Sequence, residues 1–200
     1  MSSNYMPIIQ ANLTRAFDAH TDRLAQWLPA EEDRDGLIFR AFGAHCRVTP
    51  DTVILGGREA TGPRGVIISL YLKHAAADTC IAEPWRAFAE LPDSRPYVGA
   101  FASHTETPLV PHVAKIAARQ EVISNALAGA PLTGRLSGDL VLQVTPLPKI
   151  RLVYIFYLAD EDFPASAKCL LSNNADKFLP VDGLADVGEY TSRAMISLLG

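Results

Sequence analysis

The clearest alternation of apolar and polar positions lies near residue 140. Leu140, Leu142 and Val144 alternate with Asp139, Val141, Gln143 and Thr145, the two-residue period of a strand with one buried face. The run from Ile150 to Leu158 is almost wholly apolar and rich in β-branched and aromatic residues, which predicts a central strand buried on both faces. Pro146-Leu147-Pro148-Lys149 lies between them. Two prolines stop either strand from continuing and favour a short reversal, so an antiparallel hairpin is expected. The second strand runs out into Asp160-Glu161-Asp162-Phe163-Pro164. Here the three carboxylates repel one another and Phe163 is expected to anchor the turn by burying its ring.

Elsewhere the period is helical. Ile9, Leu13, Phe17, His20, Leu24 and Trp27 recur at three- and four-residue steps and predict a helix over about 8–28. Its stripe suits packing on the sheet or on a second subunit, and a homodimer is one expectation. Residues 36–57 read as short strands in a small antiparallel meander, with Pro50-Asp51 and Gly56-Gly57 as turns. Thr61-Gly62-Pro63 then opens a helix over 63–77 with Val66, Ile67, Leu70, Tyr71 and His74 inward. Pro84, Pro92 and Pro96 divide the next stretch, in which Trp85–Pro92 suits one helical turn or a short edge strand. A helix is expected over about 108–128, from Val113, Ile116, Gln120, Ile123 and Leu127. The loop 130–138 leads into the hairpin. Residues 167–171 form a third short apolar run. A closing helix with Asp182 as N-cap follows, its apolar face built from Leu184, Val187, Thr191, Ala194 or Met195, and Leu198. The order of elements implies one α+β domain over 1–200, a mainly antiparallel sheet flanked by helices.

Composition adds limits. The chain is 200 residues, 48% hydrophobic and 20% charged, which excludes a disordered polymer. A net charge of -4 gives no basic surplus for phosphates, so nucleic acid is not an expected partner. No apolar run is long enough to span a bilayer, and the first residues lack the basic start and apolar core of a secretory signal. Cys46, Cys80 and Cys169 are odd in number and far apart, as in a cytoplasmic protein with reduced thiols.

Candidate chemistry is sparse. His20, His45, His74, His104 and His112 never pair at i, i+4 and no Cys-x-x-Cys occurs, so no metal motif is present. His104 with His112 is the one pair worth locating in space, and His20 and His74 read as core histidines. Gly62-Pro63-Arg64-Gly65 reads most simply as a turn and a helix start. Its free N–H groups could also hold an anion, with Arg64 beside them. Cys169, on an apolar run, reads as a small buried hydrophobe. Asp160, Glu161 and Asp162 suit acid–base work or a cation, or simply a solvated strand end.

Two stretches resemble a known family. Trp85-Arg86-Ala87-Phe88-Ala89-Glu90-Leu91-Pro92, followed by Tyr97 and Phe101, resembles the WxxFxELP…Y…F pattern of the bacterial and archaeal domain of unknown function 3786. Pro146-x-Pro148, the apolar strand and Asp160–Ala165 resemble its proline-rich turn, strand and D-E-x-F-P segment. The 63–77 helix and the closing helix are similar in style. Members often carry a tryptophan near the position of Tyr157, where this chain departs. The resemblance carries no assigned activity. It implies a setting in anaerobes, where some members bear a four-cysteine iron–sulfur domain of the kind seen in corrinoid proteins, and this chain has no such cysteines. The functional expectation is a binding or accessory protein linked to corrinoid or one-carbon cofactor metabolism. The alternative is a small hydrolase- or transferase-like enzyme using the acidic cluster with a cation. Trp85, Glu90, Tyr97, Asp160, Glu161 and Asp162 are expected to line one cleft.

Overall fold

The computed structural model of the chain describes residues 4–134 and 136–200. Met1, Ser2 and Ser3 of the N-terminal reading, and Arg135 of the loop before the hairpin, lie outside them. Helix α1 (Met6–His20) is followed by a tight turn and the short α2 (Leu24–Trp27). The apolar stripe read from the sequence therefore spans two helices. Ile9, Leu13 and Leu24 are buried, while Phe17, His20 and Trp27 are half-buried.

Strands β1 (Glu31–Asp33), β2 (Gly36–Ala41), β3 (Ala44–Val48), β4 (Val53–Leu55) and β5 (Arg58–Glu59) form the expected meander. It is an antiparallel sheet in sequence order. Helix α3 (Pro63–Lys73) carries proline in its first turn and packs against α1. It is more central than its sequence suggests. Ile68 and Leu72 are buried along with Ile67 and Tyr71, whereas His74, read as a core histidine, is exposed beyond the end of the helix.

The Trp85–Pro92 stretch supplies both of its alternatives, an edge strand β6 (Arg86–Ala87) and a 3-10 turn (Phe88–Glu90). The helix expected over 108–128 is broken. Helix α4 (Val98–Phe101) runs into a π-helical turn (Ala102–Glu106) and a 3-10 turn (Thr107–His112), then α5 (Val113–Ala118) and α6 (Gln120–Ala126). Pro111 has no N–H for an α-helical bond, and Arg119 leaves helical geometry at ψ 19. Val113, Ile116, Ile123 and Leu127 are still buried, because two short helices can present the same face as one long one.

The second sheet holds β7 (Ala130–Pro131), β8 (Leu140–Leu147), β9 (Ile150–Tyr157) and β10 (Ser166–Leu171), in the order β6-β10-β9-β8-β7 and antiparallel throughout. Helix α7 (Val181–Ser197) closes the fold, with Pro180 rather than Asp182 at its N-cap. Strand β9 is buried on both faces. Ile150, Leu152, Tyr154 and Phe156 enter the main core, which runs through both sheets and α1, α3 and α7. Val153 and Ile155 join Val141 in a smaller cluster under Trp85, Leu132, Leu136 and Leu170.

The hairpin turn is tighter than its prolines suggest. Leu147 pairs with Ile150, so only Pro148 and Lys149 lie outside the ladder. Pro146 stays within β8 at an irregularity between Val144 and Leu147, where a missing N–H does no harm. Its carbonyl accepts the Phe42 N–H at 2.7 Å and so links the two sheets. Lys149 is only 6% exposed. Its Nζ donates to the carbonyls of Ala76 (2.6 Å) and Asp78 (2.7 Å) and lies 5.2 Å from the Phe178 ring centroid. Asn174 holds the same irregular segment, donating to Thr79 O and accepting from Ile81 N–H.

Candidate functional site

The six residues expected to share a cleft do not gather in one, because Trp85 and the acidic turn lie at opposite ends of β9. Trp85 precedes β6, whose Arg86 pairs with Leu171, itself opposite Leu152 near the start of β9. Asp160 follows the other end of β9, where Tyr157 pairs with Ser166. Five residues of strand, about 17 Å, separate these positions. Trp85 is half-buried on the outer face of the sheet. Glu90 accepts the Ala87 N–H at 2.7 Å and so caps its own 3-10 turn, while Tyr97 is exposed. Asp160, Glu161 and Asp162 are exposed. Asp160 Oδ1 accepts the N–H groups of Asp162 (2.9 Å) and Phe163 (2.7 Å), so this carboxylate holds the turn together. Phe163 does not bury its ring, which is 71% exposed. Hydrogen bonds within the turn replace the apolar anchor.

The histidines do not converge on a metal site. His104 Nδ1 lies 4.0 Å from Glu189 Oε2, and no group of three or more metal-ligating side chains occurs among the described residues. The Cys169 thiol is buried, and burial, followed by the nearby Glu106 carboxylate, pushes its pKa up. Burial likewise pushes the Cys46 thiol to about 12. Neither is an activated nucleophile. Cys169 pairs across the sheet with Tyr154, whose hydroxyl lies 3.1 Å from Ser192 Oγ and donates to Gly188 O. Ser192 Oγ donates to Thr105 O in the π-helical turn, which faces α7 where Gly188 leaves no room for a side chain. This buried network ties three elements together.

The cleft with the richest binding chemistry includes none of those six residues and centres on Arg64 and Tyr190. Two adjoining cavities of about 510 and 390 Å³ share these two residues. One wall is the β2–β3 turn, where Phe42 and Gly43 both have positive φ. A Cβ at Gly43 would lie 2.3 Å from Ala126 O, so only glycine lets this tip press against the end of α6. A second wall is the start of α3, which no side chain caps. Gly65 fixes that start, since a Cβ there would meet Ala60 O at 1.9 Å, while Gly62 faces open space. Helix α7 provides the third wall through Tyr190, Arg193, Ala194 and Ser197. These fall at i, i+3, i+4 and i+7, one helix face distinct from its buried stripe.

The Tyr190 ring packs edge-on against Phe42 at 6.5 Å, with the Arg193 guanidinium 5.4 Å from its centroid. Burial, with Glu189 alongside, raises the Tyr190 phenol, which therefore remains a neutral hydrogen-bond donor. Arg193 is paired with Glu189 at 2.6 Å. Arg58 and Arg64 are exposed and make no ion pair among the described residues. Arg58, Arg64 and Arg193 face a lining in which Glu59 is the acid, so the cleft favours an anion.

A family model described as Domain of unknown function (DUF3786) matches residues 11–194. The chain belongs to this family. The match starts well before residue 36, so most of α1 and the whole meander are part of the family domain along with the motif-bearing second sheet. No curated protein and no solved structure matches the chain. No helix among the described residues is long and apolar enough to cross a membrane.

Proposed function

We propose that this protein binds a small molecule carrying a phosphate or carboxylate, and that the cleft around Arg64 and Tyr190 is its site. The observation that carries the reading is the continuity of the cleft past two unpaired arginines and an uncapped helix start. Arg64 and Arg58 would hold the anionic group, and Tyr190, with Phe42 beneath it, would meet an apolar or planar body. A corrinoid whose nucleotide tail carries a phosphate belongs to this class and is the first ligand to test, given the family. The acidic turn favours the enzymatic alternative less, because Asp160 is engaged in holding its own backbone.

The test begins with anaerobic purification and an absorption spectrum, in which a band beyond the aromatic region marks a bound chromophore. Nucleoside phosphates and a cobalamin are then titrated calorimetrically. Arg64→Ala should weaken binding of the phosphate-bearing ligand by about tenfold or more, the scale of a charge-assisted hydrogen bond. Stability should change by less than about 0.5 kcal/mol because the side chain is exposed. Binding that is unaltered by Arg64→Ala, or absent for every ligand in the panel, removes the proposal.

A further inference from the structure

We infer that the turn Asp160–Pro164, at the far end of β9, is a docking surface for a basic segment of another protein, one whose apolar side chain packs on Phe163 between flanking arginines or lysines. Three observations carry this, independently of the arginine-lined cleft. First, Phe163 is 71% exposed on a backbone that is firmly held. Asp160 N–H donates to Phe163 O at 3.0 Å, and the Asp160 carboxylate accepts from residues 162 and 163. Leu158 N–H donates to Asp139 Oδ2, and the Tyr157 hydroxyl donates to Ser137 O. The backbone that presents the ring thus has little freedom left to lose on binding.

Second, the ring has apolar company. Tyr157 and Leu158 are 38% and 43% exposed, and with Pro164 they line a groove of about 470 Å³. Apolar side chains grouped inside a polar rim have the layout of a protein contact, an apolar centre with a polar edge. Third, the rim carries one sign of charge. Asp139 and Asp160 line the groove, Glu161 and Asp162 adjoin it, and none of the four makes an ion pair among the described residues. An uncompensated acidic rim around an apolar centre selects a partner with the opposite pattern. A second copy is a poorer fit. Among the described residues the groove itself carries no arginine or lysine, so a second copy would have to meet it with a different face, in a head-to-tail contact that need not close.

The test selects a random 12-residue phage-displayed peptide library on the immobilised full-length chain, with the Phe163→Ser variant as counter-target. Enriched peptides should combine an aromatic or aliphatic residue with flanking Arg or Lys. Synthetic copies should bind Phe163→Ser at least about tenfold more weakly. The double change Glu161→Lys with Asp162→Lys, which spares the turn-building Asp160, should weaken them as well. Its effect should shrink between about 0.05 and 0.5 M salt, where exposed charges become screened. An unchanged melting temperature for both variants separates loss of contact from loss of fold. Enrichment of acidic or neutral peptides, or none that depends on Phe163, overturns the inference. Self-association in sedimentation that Phe163→Ser abolishes also overturns it, by assigning the surface to a second copy.

Discussion

Lys149→Met should lower the stability of the protein by about 3 kcal/mol, although the residue sits in a two-residue turn where a lysine is ordinarily solvated. Its ammonium holds the carbonyls of Ala76 and Asp78 and lies over Phe178, while its own N–H donates to Tyr71 Oη. Methionine keeps the stem and discards the charge, leaving both carbonyls without their donor. Urea unfolding at neutral pH measures the loss, and a value below about 1 kcal/mol would mean that water replaces the ammonium readily. The effect also has a sign in pH. Burial, opposed by Asp78, holds the Lys149 pKa below its ordinary 10.5. Between the lowered folded value and 10.5 the unfolded chain binds more protons than the folded one, so stability rises with pH there. The advantage of wild type over Lys149→Met should therefore grow as pH climbs through that window. An advantage that shrinks would contradict the burial of the ammonium.

Tyr154→Ala should be the more damaging change, at about 4 kcal/mol, because it empties the space of a fully buried ring in the central strand. The ring stacks near Phe156 at 6.1 Å, and its hydroxyl joins Ser192 and the Gly188 carbonyl. Tyr154→Phe separates the two contributions. It keeps the packing and removes the hydroxyl, and should cost about 1 kcal/mol, since Ser192 retains Thr105 O as its acceptor. Denaturant unfolding of both variants provides the check. Equal losses would show that the hydroxyl network, rather than the ring, supports the second sheet.

What could be read from the chain follows from which signals are local. The β8–β9 hairpin and the double burial of β9 were legible because periodicity records how many faces are covered. The meander was legible from its turns. Hidden features depended on groups distant in sequence. Nothing near Lys149 announces that residues 76 and 78 will bring their carbonyls to it. The apolar spacing of Val113, Ile116, Ile123 and Leu127 is indifferent to whether one helix or two present it, so the break at Arg119 was masked. An aromatic ring beside a proline suits a buried anchor, yet at Phe163 the Asp160 carboxylate supplies the anchorage. Of the arginine-lined cleft, Gly62 and Arg64 were visible as a helix start with an adjacent cation. Tyr190 and Arg193 were not, although their spacing along one face of α7 was available in the sequence.

The contrast between the two sheets has a consequence for the order in which the chain folds. Every pairing in the β1–β5 sheet joins neighbours in sequence, three through two-residue turns at Arg34-Asp35, Phe42-Gly43 and Gly56-Gly57 and the β3–β4 pair through the four residues Thr49–Thr52. The second sheet is completed only when Ala87 finds Leu170 across most of the intervening chain. Short loops close at little entropic cost and long ones must wait for other contacts to offset theirs. The meander is thus the natural early nucleus. In pulse-labelled hydrogen exchange during refolding, the amides of β2–β4 should gain protection before those of the β6–β10 pair. The family motif around Trp85 would then be the last part of the chain to lock into place.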